Sequence, residues 1–268
     1  MWKTFRNLQN GNHKNKDNKI IIHNNKPCTN DTQKANAFVS FYKSTSKLKI
    51  SKVDRLAKPT ANKIIRDLPA TEEDLDTITQ GEVLTAVKNM KANTASGPDK
   101  IHPRFIKNLG PMAIEELRYI YQTIWRKGDI PQQWRSADIR AIPKAGKDPS
   151  QLSSYRPISL TSCLGKGMEK IVCNRLRFHL EQNNKITPYQ AGFRPNRGVE
   201  DQLIRLSQAI SDAFQKKPME RTILCLLDYS KAYDTVWRDN LILKMARLVC
   251  LKELFNGRKV GFKTVYTG

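Results

Sequence analysis

The chain has 268 residues, with 47 lysines and arginines against 25 aspartates and glutamates, a formal net charge of +22. That length admits one large core or two modest ones, and a hydrophobic fraction of 39% is too high for a chain disordered throughout. So large a cationic excess repels itself unless a polyanion lies nearby, which makes nucleic acid the first partner to consider. No apolar run approaches the ~18 residues of a membrane span. The five cysteines include no C-x-x-C pair and none beside a histidine at zinc-finger spacing, so a structural zinc is not expected. An odd count without a signal peptide fits reduced thiols, and the protein is expected to be intracellular.

Residues 1–66 are crowded with Asn and Lys, and their acids are Asp17, Asp31 and Asp54 alone. Residues 1–30 read as a mobile basic arm, followed by a short helix over 34–42. Thr79 and Glu82 form a capping box, after which Val83, Leu84, Val87 and Met90 repeat at helical spacing. Ser96-Gly97-Pro98-Asp99 marks a turn-rich stretch over 93–100. Pro111 suits the first turn of a second helix with Ile114, Leu117, Tyr121 and Ile124 on its apolar face, and Gly128 closes it. A strand is expected over 137–142, then a flexible loop at 144–147 and an extended segment at 156–160. Helices follow over 166–182, with Met168, Ile171, Val172, Leu176 and Leu180 as the buried stripe, and over 199–214, with Leu203, Leu206, Ile210 and Phe214 on one face. Residues 222–227 form a short continuous apolar run, as in a strand buried on both faces. A helix over 240–249 and a basic strand over 258–266 complete an α+β order.

The apolar run leads directly into Asp228-Tyr229-Ser230-Lys231-Ala232-Tyr233-Asp234. A carboxylate at the end of a buried strand is costly to ionise unless a positive charge meets it. Two-metal phosphoryl transfer needs such carboxylates on rigid backbone. From these residues alone, Asp228 is either a metal ligand or a cap on the turn that follows.

The segment resembles motif A of reverse transcriptases, in the form found in LINE-type, jockey-like non-LTR retrotransposons. The resemblance implies that Asp228 binds both magnesium ions and that Tyr229 lends one of them its backbone carbonyl. It also implies that Tyr233, after the small Ala232, lies under the incoming sugar, and that Asp234 is structural. Two earlier blocks resemble the family's finger motifs: Trp134 to Lys144, and Tyr155-Arg156-Pro157-Ile158-Ser159-Leu160. By that resemblance Lys144 and Arg156 hold the triphosphate of the incoming nucleotide, a role suited to a mobile Lys and a forked Arg on an adjoining strand. Gln190-Ala191-Gly192-Phe193-Arg194, with Gln202 downstream, is similar to the block that helps form the template path. There Gly192 would admit a close backbone, Phe193 would stack or pack, and Arg194 would meet phosphate. Ala191 replaces an aromatic common in relatives. Ala95-Ser96-Gly97-Pro98-Asp99-Lys100-Ile101 matches the lead-in to the fingers.

The implied fold is the fingers and incomplete palm of a right-hand polymerase behind a disordered basic arm. Residues 1–66 would form arm and spacer, 67–220 the fingers, and 221–268 the start of the palm. The implied reaction is RNA-templated addition of dNTPs to a DNA primer, with Mg2+ as cofactor, in an element moving between cytoplasm and nucleus. No Asp-Asp pair and no PQG block occur in the sequence, and the chain stops at Gly268 about where relatives reach PQG. The chain by itself is therefore expected to be inactive. Two other readings stay open: a group II intron-type enzyme, and a non-catalytic nucleic-acid-binding relic of an element.

Overall fold

A computed structural model describes residues 20–248 apart from 25, 48–53, 68–76 and 231. The expected strand at 258–266 and residues 1–19 of the expected arm lie outside the described residues. The first described element corrects the reading of a mobile arm through residue 30. Strands β1 (Ile21–His23) and β2 (Lys26–Cys28) form an antiparallel hairpin with Ile21 opposite Cys28. Asn24 sits at φ 49°, a conformation that Asn tolerates and a tight hairpin turn requires. The Asn-rich composition that suggested disorder here supplies the turn. Helix α1 (Asp31–Thr45) follows, capped by the Asn30 side chain accepting from the Gln33 amide. It is longer than the 34–42 expected. Its Ala37 is buried with Ile21, Cys28 and Leu152 in a small separate core.

A 3₁₀ turn (Asp54–Leu56) and helix α2 (Ala57–Asp67) come next, neither foreseen because that stretch lacks a long apolar repeat. The main core begins at α3 (Gln80–Lys88), where the Thr79 and Glu82 capping box is present as expected. Val83 and Val87 are buried, whereas Leu84 faces solvent. A short helix α4 (Pro103–Lys107) leads to α5 (Pro111–Lys127), which starts on Pro111 and ends on Gly128 in the left-handed conformation. All four expected positions on its face, Ile114, Leu117, Tyr121 and Ile124, are buried. After α6 (Gln132–Arg135), strands β3 (Ala137–Pro143) and β4 (Tyr155–Thr161) pair antiparallel, joined through a second 3₁₀ turn (Leu152–Ser154).

Helix α7 (Cys163–Gln182) crosses α3 and α5 and completes the main core with Cys163, Met168 and Ile171. At the crossing, Tyr121 donates from its hydroxyl to the Leu164 carbonyl at 2.8 Å, and its ring meets Trp134 edge-on. Gly167 lies beneath that hydroxyl, where any Cβ would collide with it. The 95–101 turn is held against the junction of β4 and α7 by a similar closeness. A Cβ on Gly97 would stand 2.5 Å from the Thr161 carbonyl carbon and 2.6 Å from the Ser162 nitrogen. Those are backbone atoms that cannot rotate aside, so Gly97→Ala is expected to destabilise the chain by about 1–3 kcal/mol. Urea unfolding measures it, and an unchanged midpoint would mean the turn moves away at no cost.

Helix α8 (Val199–Gln215) forms where expected, but its apolar face is poorly covered: Leu203 and Phe214 are exposed and Ala213 is its one buried residue. The next stretch overturns an expectation. Residues 222–227 form no strand and are not buried; Ile223 is 92% and Leu227 86% exposed. A strand exists only with a hydrogen-bonding partner, and no segment among the described residues pairs with this one. Helix α9 (Arg238–Leu248) closes the described chain and packs Leu243 and Ala246 against Ala57, Ala61 and Ile64 of the N-terminal region, with Leu176 and Leu180 of α7 alongside. No helix among the described residues is long and apolar enough to cross a membrane.

Candidate functional site

The β3–β4 hairpin carries two of the predicted site residues at one end. Its register sets Ile142 opposite Arg156 and Pro143 opposite Tyr155, so Lys144 is the first residue beyond the paired strand. The Lys144 amide donates to the Ser154 carbonyl and its ammonium to the Ser153 carbonyl, both at 2.8 Å. Lys144 is thereby held to the turn with its backbone fixed. Gly146, at φ 70°, then reverses the chain where only glycine is unstrained. Arg156 is exposed on β4. Strand alternation puts Arg140 on the same face as Arg156, with Ile142 and Ile158 between and beside them. Arg140 was not singled out in the sequence, although its two-residue step from Ile142 would have placed it there.

The predicted template block is a run of turns between α7 and α8. Arg194 differs from the role the resemblance implies. Its guanidinium makes a two-pronged pair with Glu181, at 2.8 and 2.5 Å, and also donates to the Thr187 and Gln190 carbonyls. With its side chain 10% exposed, it organises the turn and has little left to offer a phosphate. Hydrogen bonding to Arg194 holds the Glu181 carboxyl below the usual carboxylate range. Gln190 donates to the Gly192 carbonyl. Nothing lies within 4 Å of a Cβ built on Gly192, so the close backbone approach expected of it is not present. Phe193, at φ 62° and 87% exposed, is not core packing; its ring stands in solvent. Gln202 anchors the block from α8 by donating to the Tyr189 carbonyl, and the Arg205 guanidinium lies 5.4 Å over the Tyr189 ring.

Asp228, Tyr229, Ala232 and Tyr233 are all exposed. No group of three or more His, Cys, Asp or Glu side chains among the described residues is arranged to hold a metal ion. Asp234 is half-buried. The Tyr42 hydroxyl of α1 is buried without a hydrogen-bond partner among the described residues. Its pKa is pushed up to about 12, first by burial, then by the negative charge of Asp234 and by Tyr155.

Residues 142–268, which take in the end of β3, β4 and the Asp228 segment, match the family described as reverse transcriptase (RNA-dependent DNA polymerase). The chain is 34% identical over 174 residues to the RNA-directed DNA polymerase from mobile element jockey of Drosophila melanogaster, covering 65% of this chain and 19% of that protein. It is 35% identical over 190 residues to the corresponding jockey protein of Drosophila funebris, 69% of this chain and 20% of the other. To the probable RNA-directed DNA polymerase from transposon BS of Drosophila melanogaster it is 35% identical over 62% of this chain and 18% of that protein. The chain belongs to the jockey-like reverse transcriptases of non-LTR retrotransposons. It spans about a fifth of the length of these curated relatives.

Proposed function

We propose that the chain supplies the fingers and the first palm carboxylate of an RNA-directed DNA polymerase, which adds dNTPs to a DNA primer on an RNA template. The observation that carries this reading is the joint placement of Lys144 and Arg156 at one end of the β3–β4 hairpin. Two cations at one end of a hairpin, Lys144 held to the turn and Arg156 exposed on the strand, suit the oxygens of a triphosphate, where they would neutralise charge that grows as the leaving pyrophosphate departs. Arg140 on the same face extends the positive surface toward the nucleic acid. Tyr233 would lie beneath the incoming sugar, and Phe193 would offer a ring to a template base. In this reading Arg194 serves the template path indirectly, by shaping the turn that displays Phe193.

The magnesium implied by the family is only half accommodated. Asp228 and the Tyr229 carbonyl are suitable hard oxygen donors. Among the described residues no group of three or more His, Cys, Asp or Glu side chains gathers to complete a site around them. These donors alone do not make up a two-metal site. The same observation favours a second reading in which this chain binds nucleic acid without catalysing transfer. In either case the expected partners are an RNA template, a DNA primer and dNTPs, and the expected setting is intracellular with access to the nucleus.

Binding of a fluorescent RNA–DNA template–primer duplex tests the proposal. Tight association at low salt is expected, weakening steeply as salt rises because each lysine or arginine contact releases a phosphate counterion. Absence of binding at low salt, or binding indifferent to salt, would sink it.

A further inference from the structure

We propose that the N-terminal hairpin and helix, residues 21–45, are not a spacer but a brace that positions the nucleotide-binding hairpin, with Phe38 and Leu152 as its key positioning residues. The inference rests on the reading of Lys144 and Arg156 as triphosphate ligands. The brace grips the turn between β3 and β4 at three points. The Ile22 amide donates to the Ser150 carbonyl at 3.0 Å, and Ile22 forms a parallel bridge with Gln151. Leu152 is 6% exposed, buried with Ile21, Cys28 and Ala37, so a residue of the turn serves as core for the N-terminal unit. Phe38 meets the Tyr155 ring edge-on at 5.0 Å, and Tyr155 donates to the Pro149 carbonyl at 2.8 Å.

The gripped turn is the one that holds Lys144. Ser153 and Ser154, which accept from the Lys144 ammonium and amide, lie in sequence between the buried Leu152 and Tyr155. Arg156 is the next residue after Tyr155. Displacing Leu152 or Tyr155 therefore shifts the backbone acceptors of one cation and the backbone of the other. A free hairpin tip would sample many conformations, and ordering it on binding would cost affinity. A tip seated in a small apolar core is ordered beforehand.

The test uses the full chain and mant-dATP with Mg2+ as the fluorescent probe, alongside amide hydrogen exchange. Lys144→Ala is the control for the nucleotide reading; losing a charge-assisted contact of about 1.5–3 kcal/mol should weaken binding roughly tenfold or more. Phe38→Ala and Leu152→Ala should each weaken binding several-fold and speed exchange at the Lys144 amide, while the main core keeps its protection. Phe38→Tyr and Leu152→Met, which keep the ring and the volume, should restore both. If Lys144→Ala weakens binding and the two alanine variants do not, the brace is overturned and the nucleotide reading stands. If Lys144→Ala has no effect, the nucleotide reading fails and takes the brace's purpose with it. Unchanged exchange at Lys144 in both alanine variants would also overturn the brace.

Discussion

Residues 1–268, incubated with magnesium, an annealed RNA–DNA primer–template and all four dNTPs, are expected to extend no primer above background. The reason lies in charge. Phosphoryl transfer in a polymerase relies on paired cations that bridge the attacking and leaving oxygens, and these cations need several carboxylates held on rigid backbone. Here no group of three or more potential ligands that includes Asp228 is arranged to hold a metal among the described residues, and the sequence contains no Asp-Asp pair. Among the described residues its segment is exposed and no strand pairs with it, so nothing described there gives the carboxylate a rigid seat. Even with Lys144 and Arg156 neutralising a triphosphate as proposed, binding that is equally good before and during the reaction does not accelerate it. Magnesium-dependent incorporation that Asp228→Asn abolishes would overturn the expectation.

That exposed segment also shows where the sequence could not speak for the structure. The run Ile223-Leu224-Cys225-Leu226-Leu227 has the composition of a central strand, but composition records what a segment would do with neighbours, not whether it has them. Helices that carry their own hydrogen bonds were more legible. The end points of α5, set by Pro111 and Gly128, and its buried face could be read directly, as could the capping box of α3. The N-terminal unit was misread for the opposite reason. Its apolar residues are few and spaced across a hairpin and a helix, and their partner Leu152 lies more than a hundred positions away. At the candidate site, Lys144 and Arg156 lie at one end of the β3–β4 hairpin, because a hairpin keeps neighbours in sequence close in space. The Arg194 pairing with Glu181 could not be anticipated, since it depends on how the turn folds back along α7.

The ion pair that holds α7 to α3 gives the largest expected loss of stability. Arg175 meets Glu82 with two nitrogens, at 2.6 and 2.8 Å, donates to the Thr77 carbonyl, and lies 5.2 Å over the Trp125 ring. The side chains are 17% and 28% exposed, so water screens the pair only in part. Burial would raise the Glu82 pKa, but hydrogen bonds from Arg175 and Thr79 outweigh it and hold the carboxyl below its usual value of 4.5. Arg175→Met keeps the apolar stem over Trp125 and removes the charge. It leaves Glu82 half-buried without its main partner, and a loss of about 2–4 kcal/mol is expected. The loss should depend on pH in a definite sense. A depressed folded-state pKa contributes stability that is present above about 4.5 and fades as the pH falls through the folded value. The gap between parent and Arg175→Met should therefore be widest near neutrality and narrow in acid, where Glu82 of the variant protonates first. Glu82→Gln combined with Arg175→Met should cost less than the two single changes added together, because the stranded charge is gone. Urea unfolding at pH 7 and pH 4 decides it: a gap that is constant with pH, or strictly additive losses, would mean that packing rather than the ion pair joins these helices.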